Sequence, residues 1–457
     1  MSSQPPSIAD IINKLKLQQT EKVKIAVTDL DGILRGKIIS FEKFVSIVEK
    51  GFGFCNVIFG WDSADAAYDN CNFTGWHSGY PDATAVIDIS TFRQIPWEND
   101  TAFFLADFKG DEGNDLNICP RSLLKKIIQQ ATHASFTPFF SQEFEWFNLV
   151  DNREELYAGK FSNVKPITQG MFGYSMQRAA EKSEYFNDIF TSLKKFGVPI
   201  EGLHTETGPG VYEAAIAYSE ILEAADRAVL FKTGVKQIAL KHGILATFMA
   251  KFNEQLPGCS GHVHQSLWNA DKTQNLFHDK NSATGISHLM ENYMAGQLAC
   301  LPYILPLLAP TINSYKRLVE GAWAPTTLTW GIDNRTTALR ALPVGEKSCR
   351  LETRVVGADS NPYLAMAACL AAGLYGIKNN LKLDTPATNG NGYTNITNGS
   401  LPKNLWDATQ AMKTSPIAKE LFGEHFVNHF TATREWEWKQ FTKAVTDWEL
   451  KRYLEII

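Results

Sequence analysis

The sequence predicts an α+β chain of two units, a small β-rich one over residues 1–112 and a large mixed one over residues 113–457. Three observations carry that expectation. At 457 residues the chain can bury a substantial core and should divide into two or more domains. Its N-terminal part is dominated by short β-type runs, and the polar, turn-rich Phe108-Lys-Gly-Asp-Glu-Gly-Asn114 then gives way to Pro120, which opens a helix. Beyond Pro120, strand-like and helix-like periodicities alternate, with no internal repeat and no phosphate-binding GxxxxGK loop.

Ile8–Leu17 reads as a short amphipathic helix behind a frayed start at residues 1–7. Lys22–Leu30 and Ile33–Ser40 are β-rich runs around Asp31-Gly32, a strong hairpin signal. A helix over Phe41–Glu49 stops at Gly51, and Cys55–Phe59, Ala85–Asp88 and Ala102–Asp107 read as further strands. In the large unit, Phe136–Asn148 is a strand and Tyr174–Phe196 a helix, while Ile200–Glu206 is a strand running into the turn Thr207-Gly-Pro-Gly. Glu213 to about His242 reads as helix, then Ala246–Lys251 and Gly261–Leu267 as strands. Two helices are expected within Gly285–Leu308 and one over Pro362–Asn379. Asp384–Leu401 is low in complexity and expected to be mobile, and from Pro402 a helical tail rich in Trp and charge runs to Ile457.

Composition narrows the class. With 44% apolar and 20% charged residues the profile is that of a globular protein, and a net charge of −5 argues against a general nucleic-acid binder. Seven scattered cysteines without a CxxC pair suit reduced thiols in a cytosol better than a disulfide framework. MSSQPPSIADIINKLK has no basic region leading into an apolar run, and no uninterrupted apolar run approaches the ~18 residues of a membrane span. The expectation is a soluble cytoplasmic protein that engages neither membrane nor nucleic acid.

Four stretches can carry chemistry. Asn313–Arg354 holds Arg317, Arg335, Arg340, Arg350 and Arg354 with a local balance of +3, and period two places Arg350, Glu352 and Arg354 on one strand face. Such a face suits an anionic ligand or a salt-bridged rim. Glu143 and Glu145 likewise share a face, opposite Phe144 and Trp146, as ligands of Mg²⁺ or Mn²⁺ or as a wet sheet surface. His204-Thr-Glu206-Thr-Gly-Pro-Gly-Val-Tyr-Glu213 sets two carboxylates around a sharp turn, although Glu213 beside a helix start can also simply complement its macrodipole. His262 and His264 lie on one strand face, as ligands or as hydrogen-bonded core. Together, carboxylates and histidines facing an arginine-lined pocket suit phosphoryl transfer from a nucleotide.

In this order the motifs resemble the glutamine synthetase family: Glu143-Phe-Glu145, His204-x-Glu206 with Gly-Pro-Gly before Glu213, Gly261-His262-Val-His264-Gln-Ser266, Asn313-Ser-Tyr-Lys-Arg317-Leu, Asn334-Arg335, Arg340, Arg350-Leu-Glu352-x-Arg354 and Asn361-Pro-Tyr-Leu-Ala. The resemblance covers nearly the whole chain. It implies a β-grasp-like N-terminal domain, an antiparallel half-barrel surrounded by helices, and ATP-dependent activation of glutamate before an amine displaces phosphate. By matching position, Glu145, Glu206 and Glu213 hold one Mg²⁺ or Mn²⁺ and Glu143, His262 and Glu352 a second, among two to three ions per site. Arg317, Arg354 and Gly258 match the grip on glutamate, and Arg335, Arg340 and Arg350 the positions that stabilise phosphate. His264, Ser266 and Lys347 match nucleotide contacts. The resemblance also implies a homo-oligomer, commonly a dodecamer of two stacked hexamers with sites shared between neighbouring subunits.

Departures from the family pattern bear on the acceptor. Ammonia-using members carry a glutamate in the loop after Asn-Ser-Tyr-Lys-Arg, where this chain reads Gly321-Ala-Trp323-Ala-Pro325. An aromatic there removes an anion that favours a small cation and supplies an apolar wall. Phe59-Gly-Trp61-Asp62-Ser-Ala keeps an aspartate where those members bind ammonium, without the surrounding motif, which makes Asp62 a candidate for a neighbour's site. The pattern resembles the γ-glutamyl-polyamine and γ-glutamyl-monoamine synthetase branch, with Arg335, Asp62 and Trp323 as the residues of the chemical step. Glutamine synthetase proper and a non-catalytic structural relative are the alternatives. Tyr393 lies where some bacterial members carry a nucleotidylylated tyrosine, but its flanks do not match and no such control is expected.

Overall fold

The computed structural model describes residues 7–110 and 113–457, and the chain is α+β. Residues 1–6 of the expected frayed start and residues 111 and 112 at the expected boundary between the units lie outside the described residues. Among the described residues no helix is long and apolar enough to cross a membrane.

The strands β1 (Lys22–Thr28), β2 (Leu34–Ser40), β3 (Phe52–Cys55), β4 (Asp82–Ile95) and β5 (Thr101–Lys109) form one sheet in the order β2-β1-β5-β4-β3. β1 runs parallel to β5 and the other pairs are antiparallel, a β-grasp-like arrangement. Alternation in β1 buries Val23, Ile25 and Val27 against Phe44 of the helix Phe41–Ile47, which Ser40 caps. Cys55–Phe59, expected as a strand, is instead β3's last residue followed by a 3₁₀ turn over Asn56–Phe59. The turn between β1 and β2 needs Gly32 at φ +79°, where a Cβ would also sit 3.0 Å from Asn361 Cα. That close approach is one seam to the rest of the chain: Asn361 Nδ2 donates to the carbonyls of Asp29 and Leu30 at 3.1 Å each.

The remaining strands build a nine-stranded sheet: β6 (Phe136–Val150), β7 (Ile200–Thr205), β8 (Val211–Ile216), β9 (Ser219–Glu220), β10 (Ile244–Thr247), β11 (Gly261–Asn269), β12 (Trp330–Ile332), β13 (Leu339–Leu342) and β14 (Arg350–Thr353). Its main path is β12-β13-β14-β11-β6-β8-β7, with β9 and β10 pairing on β6, and every pair but β12/β13 is antiparallel. Helices Pro120–His133, Ile221–Lys241, His288–Leu308 and Pro362–Lys378 cover its apolar face.

Four further expectations change. Glu213 lies on β8 and not at a helix start; the helix begins at Ile221, so the macrodipole account of Glu213 does not apply. The Tyr174–Phe196 helix is two, Met176–Glu181 and Ser183–Lys195, while Gly285–Leu308 holds one helix, His288–Leu308, that continues through Pro302 and Pro306 because its burial on nearly all sides offsets their missing donors. Asp384–Leu401 is not a free loop: Trp330 Nε1 donates to Thr385 O at 2.8 Å and Asn334 Nδ2 to Thr388 O at 2.9 Å.

Candidate active site

Strand register brings the separated motifs together. On β6, Phe144 and Trp146 are fully buried on the helix side, which sends Glu143 and Glu145 to the other face. Residues directly opposite across a ladder share a face. Glu145 pairs with Glu213 on β8, and Glu213 with His204 on β7. In the other direction Glu143 pairs with His262 on β11, His264 with Glu352 on β14, and Glu352 with Arg340 on β13. One concave sheet face thus collects residues from six strands, and Glu206 joins them just past the end of β7.

The side chains make two groups. His204 Nε2 is 3.2 Å from Glu206 Oε2 and 3.6 Å from Glu213 Oε1, and these three residues offer ligand atoms within 4.8 Å of one another. Glu145, expected with Glu206 and Glu213, lies opposite Glu213 but accepts from Ser260 N at 2.8 Å and from the Ser260 hydroxyl. In the second group His264 Nε2 is 3.0 Å from Glu143 Oε2, and Glu352 meets Arg340 Nη1 at 2.7 Å, His262 Nδ1 at 3.3 Å and the Arg354 guanidinium.

Protonation follows from crowding. Burial, then the hydrogen bond and charge of Glu143, push Glu213 up, whereas Glu143 is held well below the usual range against burial because Glu213 and His264 donate to it. Burial also raises Glu145. Glu352 is held down to about 2 by His264, Arg354, His262 and Arg340, against the upward push of burial. Burial, then Arg354, depress His262 well below the ordinary imidazole value, leaving it neutral. With Nδ1 toward Glu352, the buried Nε2 of His262 has no partner among the described residues. A buried carboxylate pair sharing a proton beside an unpartnered imidazole nitrogen is a donor set that fits a hard divalent cation.

The arginines surround this face. Arg317 is buried and donates to the carbonyls of Val355 and Arg354 at 3.0 Å each, packed on Gly258. Arg354 Nε donates to Arg335 O at 3.0 Å, whereas the Arg335 side chain is more than half exposed on the turn after Asn334. His264, Ser266, Lys347 and Arg350 line one cleft of about 390 Å³ with Glu143. Arg340 does not line it; its guanidinium bridges Glu352 and Asp333. Sequence reading missed the cleft's aromatic wall, Phe139, Tyr218 and Trp268, with Phe139 and Trp268 centroids 5.5 Å apart. One more period of the His262–His264–Ser266 alternation reaches Trp268. It also gave His204 no role, although His204 shared the quoted motif.

Two predicted residues stand apart. Asp62 accepts from Ala64 N and Ala66 N at 2.9 Å and from Trp436 Nε1 at 3.3 Å, partners that do not belong to the carboxylate face. Trp323 is 60% exposed at φ +57° in the turn after Arg317.

Comparison with known proteins agrees with this geometry. Residues 117–453 match the family model "Glutamine synthetase, catalytic domain". The chain is 54% identical over 451 residues to type-1 glutamine synthetase 2 of Dictyostelium discoideum, covering 98% of this chain and 86% of that protein. It is 37% identical over 453 residues to glutamate–isopropylamine ligase of Pseudomonas sp, covering 98% of each. A solved structure described as "GmaS/ADP complex-Conformation 1" superposes with a TM-score of 0.85 at 27% identity, covering 98% of this chain and 100% of that one.

Proposed function

The chain belongs to the glutamine synthetase family, and on that premise we propose that it is an ATP-dependent ligase joining the γ-carboxyl of glutamate to an organic amine. Members of this family generally use ATP and a divalent metal, Mg²⁺ or Mn²⁺. In this reading a γ-carboxylate oxygen attacks the γ-phosphorus of ATP and the bond to ADP breaks, giving γ-glutamyl phosphate. The neutral amine nitrogen then attacks the acyl carbon, the carbon–oxygen bond to phosphate breaks, and phosphate leaves with the proton the nitrogen sheds.

Each part of the face has a role. Glu145, Glu206 and Glu213 would hold one ion, with His204 beside them, and Glu143, His262 and Glu352 a second. Bound metal supplies charge neutralisation at the transferring phosphate. His264, Ser266, Lys347 and Arg350 hold the nucleotide in the cleft against Phe139, Tyr218 and Trp268, and Arg340 holds Glu352 in place while facing the phosphates. Arg317 and Arg354 take the glutamate carboxylates, with Gly258 letting Arg317 pack, and Arg335 meets charge on the transferred group. Asp62 and Trp61, which lie away from the carboxylate face of their own chain, serve a neighbouring subunit's site in a homo-oligomer of stacked rings. Residues 1–112 and 113–457 are the two functional units.

The observation that carries the acceptor class is Trp323: an exposed indole in the loop after Arg317, where the family resemblance puts an acid in ammonia users. The Dictyostelium relative's name favours a second reading, with ammonia as acceptor. Phosphate release from purified protein with ATP, glutamate and Mg²⁺ separates them, using a panel of alkylamines, diamines, aromatic amines and ammonium. An organic amine is expected to give the highest kcat/KM; ammonium in that place overturns the proposal.

A further inference from the structure

The segment 384–401 is seamed on two sides to the chain that follows the Trp323 loop. On one side Leu401 N donates to Thr326 O at 2.9 Å, Leu328 N to Gly399 O at 3.0 Å and Thr327 Oγ1 to Gly392 O at 2.8 Å. On the other, Asn334 Nδ2 donates to Gly390 O at 2.8 Å and Gly392 N to Thr336 Oγ1 at 2.8 Å, on the turn that carries Arg335. Gly392 is needed at that junction because a Cβ would fall 2.6 Å from Thr336 O. Between the two seams a single 3₁₀ turn, Gly392–Thr394, presents Tyr393.

The Tyr393 hydroxyl is buried yet has no hydrogen-bond partner among the described residues. It lies beside the Trp323 backbone, within electrostatic reach of Arg354, Arg317 and Glu320. Burial keeps the phenol protonated, against the opposing pull of Arg354, the Trp323 backbone and Arg317. A buried, neutral O–H within electrostatic reach of two guanidinium groups is a donor waiting for an anion, since native folds seldom leave such a group unmade. Its oxygen faces the backbone of the acceptor loop at the same time.

We propose that Tyr393 is a positioning residue that couples donor to acceptor: its hydroxyl donates to a carboxylate of the donor substrate held by Arg317 and Arg354, accepts from the Trp323 backbone, and so closes the Trp323 loop over the acceptor amine. The inference rests on the reading of Arg317 and Arg354 as the glutamate-binding pair. It makes the low-complexity segment the frame of the acceptor site rather than a linker.

Tyr393→Phe tests it with the full-length enzyme, because it removes the oxygen and keeps the ring. At saturating glutamate, KM for the best acceptor is expected to rise about tenfold, the change that loss of one or two hydrogen bonds brings. KM for ATP is expected to stay within about twofold. Phosphate released per amide formed is expected to exceed one, as the acyl phosphate meets water under an unlatched loop. An unchanged acceptor KM with a phosphate-to-amide ratio of one overturns the inference, and so does an equal rise in KM for ATP and acceptor. If wild-type enzyme prefers ammonium, the organic-amine reading falls, and the role of Tyr393 is still decided by the same KM and ratio measured with ammonium.

Discussion

At the scale of single residues, the proposed acceptor choice turns on one position. Trp323 holds a left-handed backbone at φ +57°, which costs an ordinary side chain of the order of 1 kcal/mol and persists only where the surroundings impose it. Its neighbours do impose it: Leu401 pairs with Thr326 downstream and the Arg317 guanidinium anchors the upstream end. In the proposed site the indole therefore projects from a loop tethered at both ends, a wall for an alkyl or aryl group, and offers no charge to a small cation. Glu320 lies three residues earlier and is exposed. Trp323→Glu, which returns a carboxylate to the loop, is expected to raise the ratio of kcat/KM for ammonium to that for the best organic amine by at least about tenfold. A ratio that does not move would remove the indole from acceptor choice.

At the scale of elements, the site is a product of strand register, and this is where the sequence could and could not be read. Alternation exposed the face shared by Glu143 and Glu145, and the face shared by Arg350, Glu352 and Arg354, because a strand's period is local. The meeting of His262 with Glu352 was not legible without the family resemblance, since no local signal tells β11 which strand it will meet. Glu213 was misplaced for a related reason. Its Ala-Ala-Ile continuation reads as helix, and the pairing of β8 with both β6 and β7 overrides that preference. The prolines of His288–Leu308 misled in the opposite direction, because burial by neighbours cannot be seen in the segment itself. Gly258 shows how a connection between elements sets the site. A Cβ there would lie 2.5 Å from Ala250 O and 2.7 Å from Arg317 Cγ. Gly258→Ala is therefore expected to cost about 1–3 kcal/mol of stability by urea titration and to raise KM for glutamate about tenfold by displacing Arg317. A lowered stability with an unchanged glutamate KM would detach Arg317 from glutamate binding.

At the scale of the molecule, the N-terminal sheet and the large sheet are held together by buried polar seams. Arg121 pairs with Asp107 of the first sheet and Asp226 of the helix Ile221–Lys241 at 2.8 Å each, and Arg434 joins Asp31 at 2.9 Å and Pro310 O at 2.9 Å. The helix Glu424–Lys443, which also carries Arg434, inserts His429 against Phe73 of the N-terminal part, with ring centroids 5.8 Å apart. Neither His429 nitrogen has a partner among the described residues. Burial, then His425, lower its pKa from 6.5 to about 4. A base depressed in the fold binds protons more readily when unfolded, so its share of stability is complete above about pH 6.5 and is lost as pH falls toward about 4. By pH 5 that loss amounts to roughly 2 kcal/mol. His429→Leu keeps an apolar side chain against Phe73 and removes the titration. The difference in unfolding free energy between pH 7 and pH 5 is expected to shrink by about that amount in the variant; an equal difference in both proteins would show that this contact does not make the seam between the two sheets acid-sensitive.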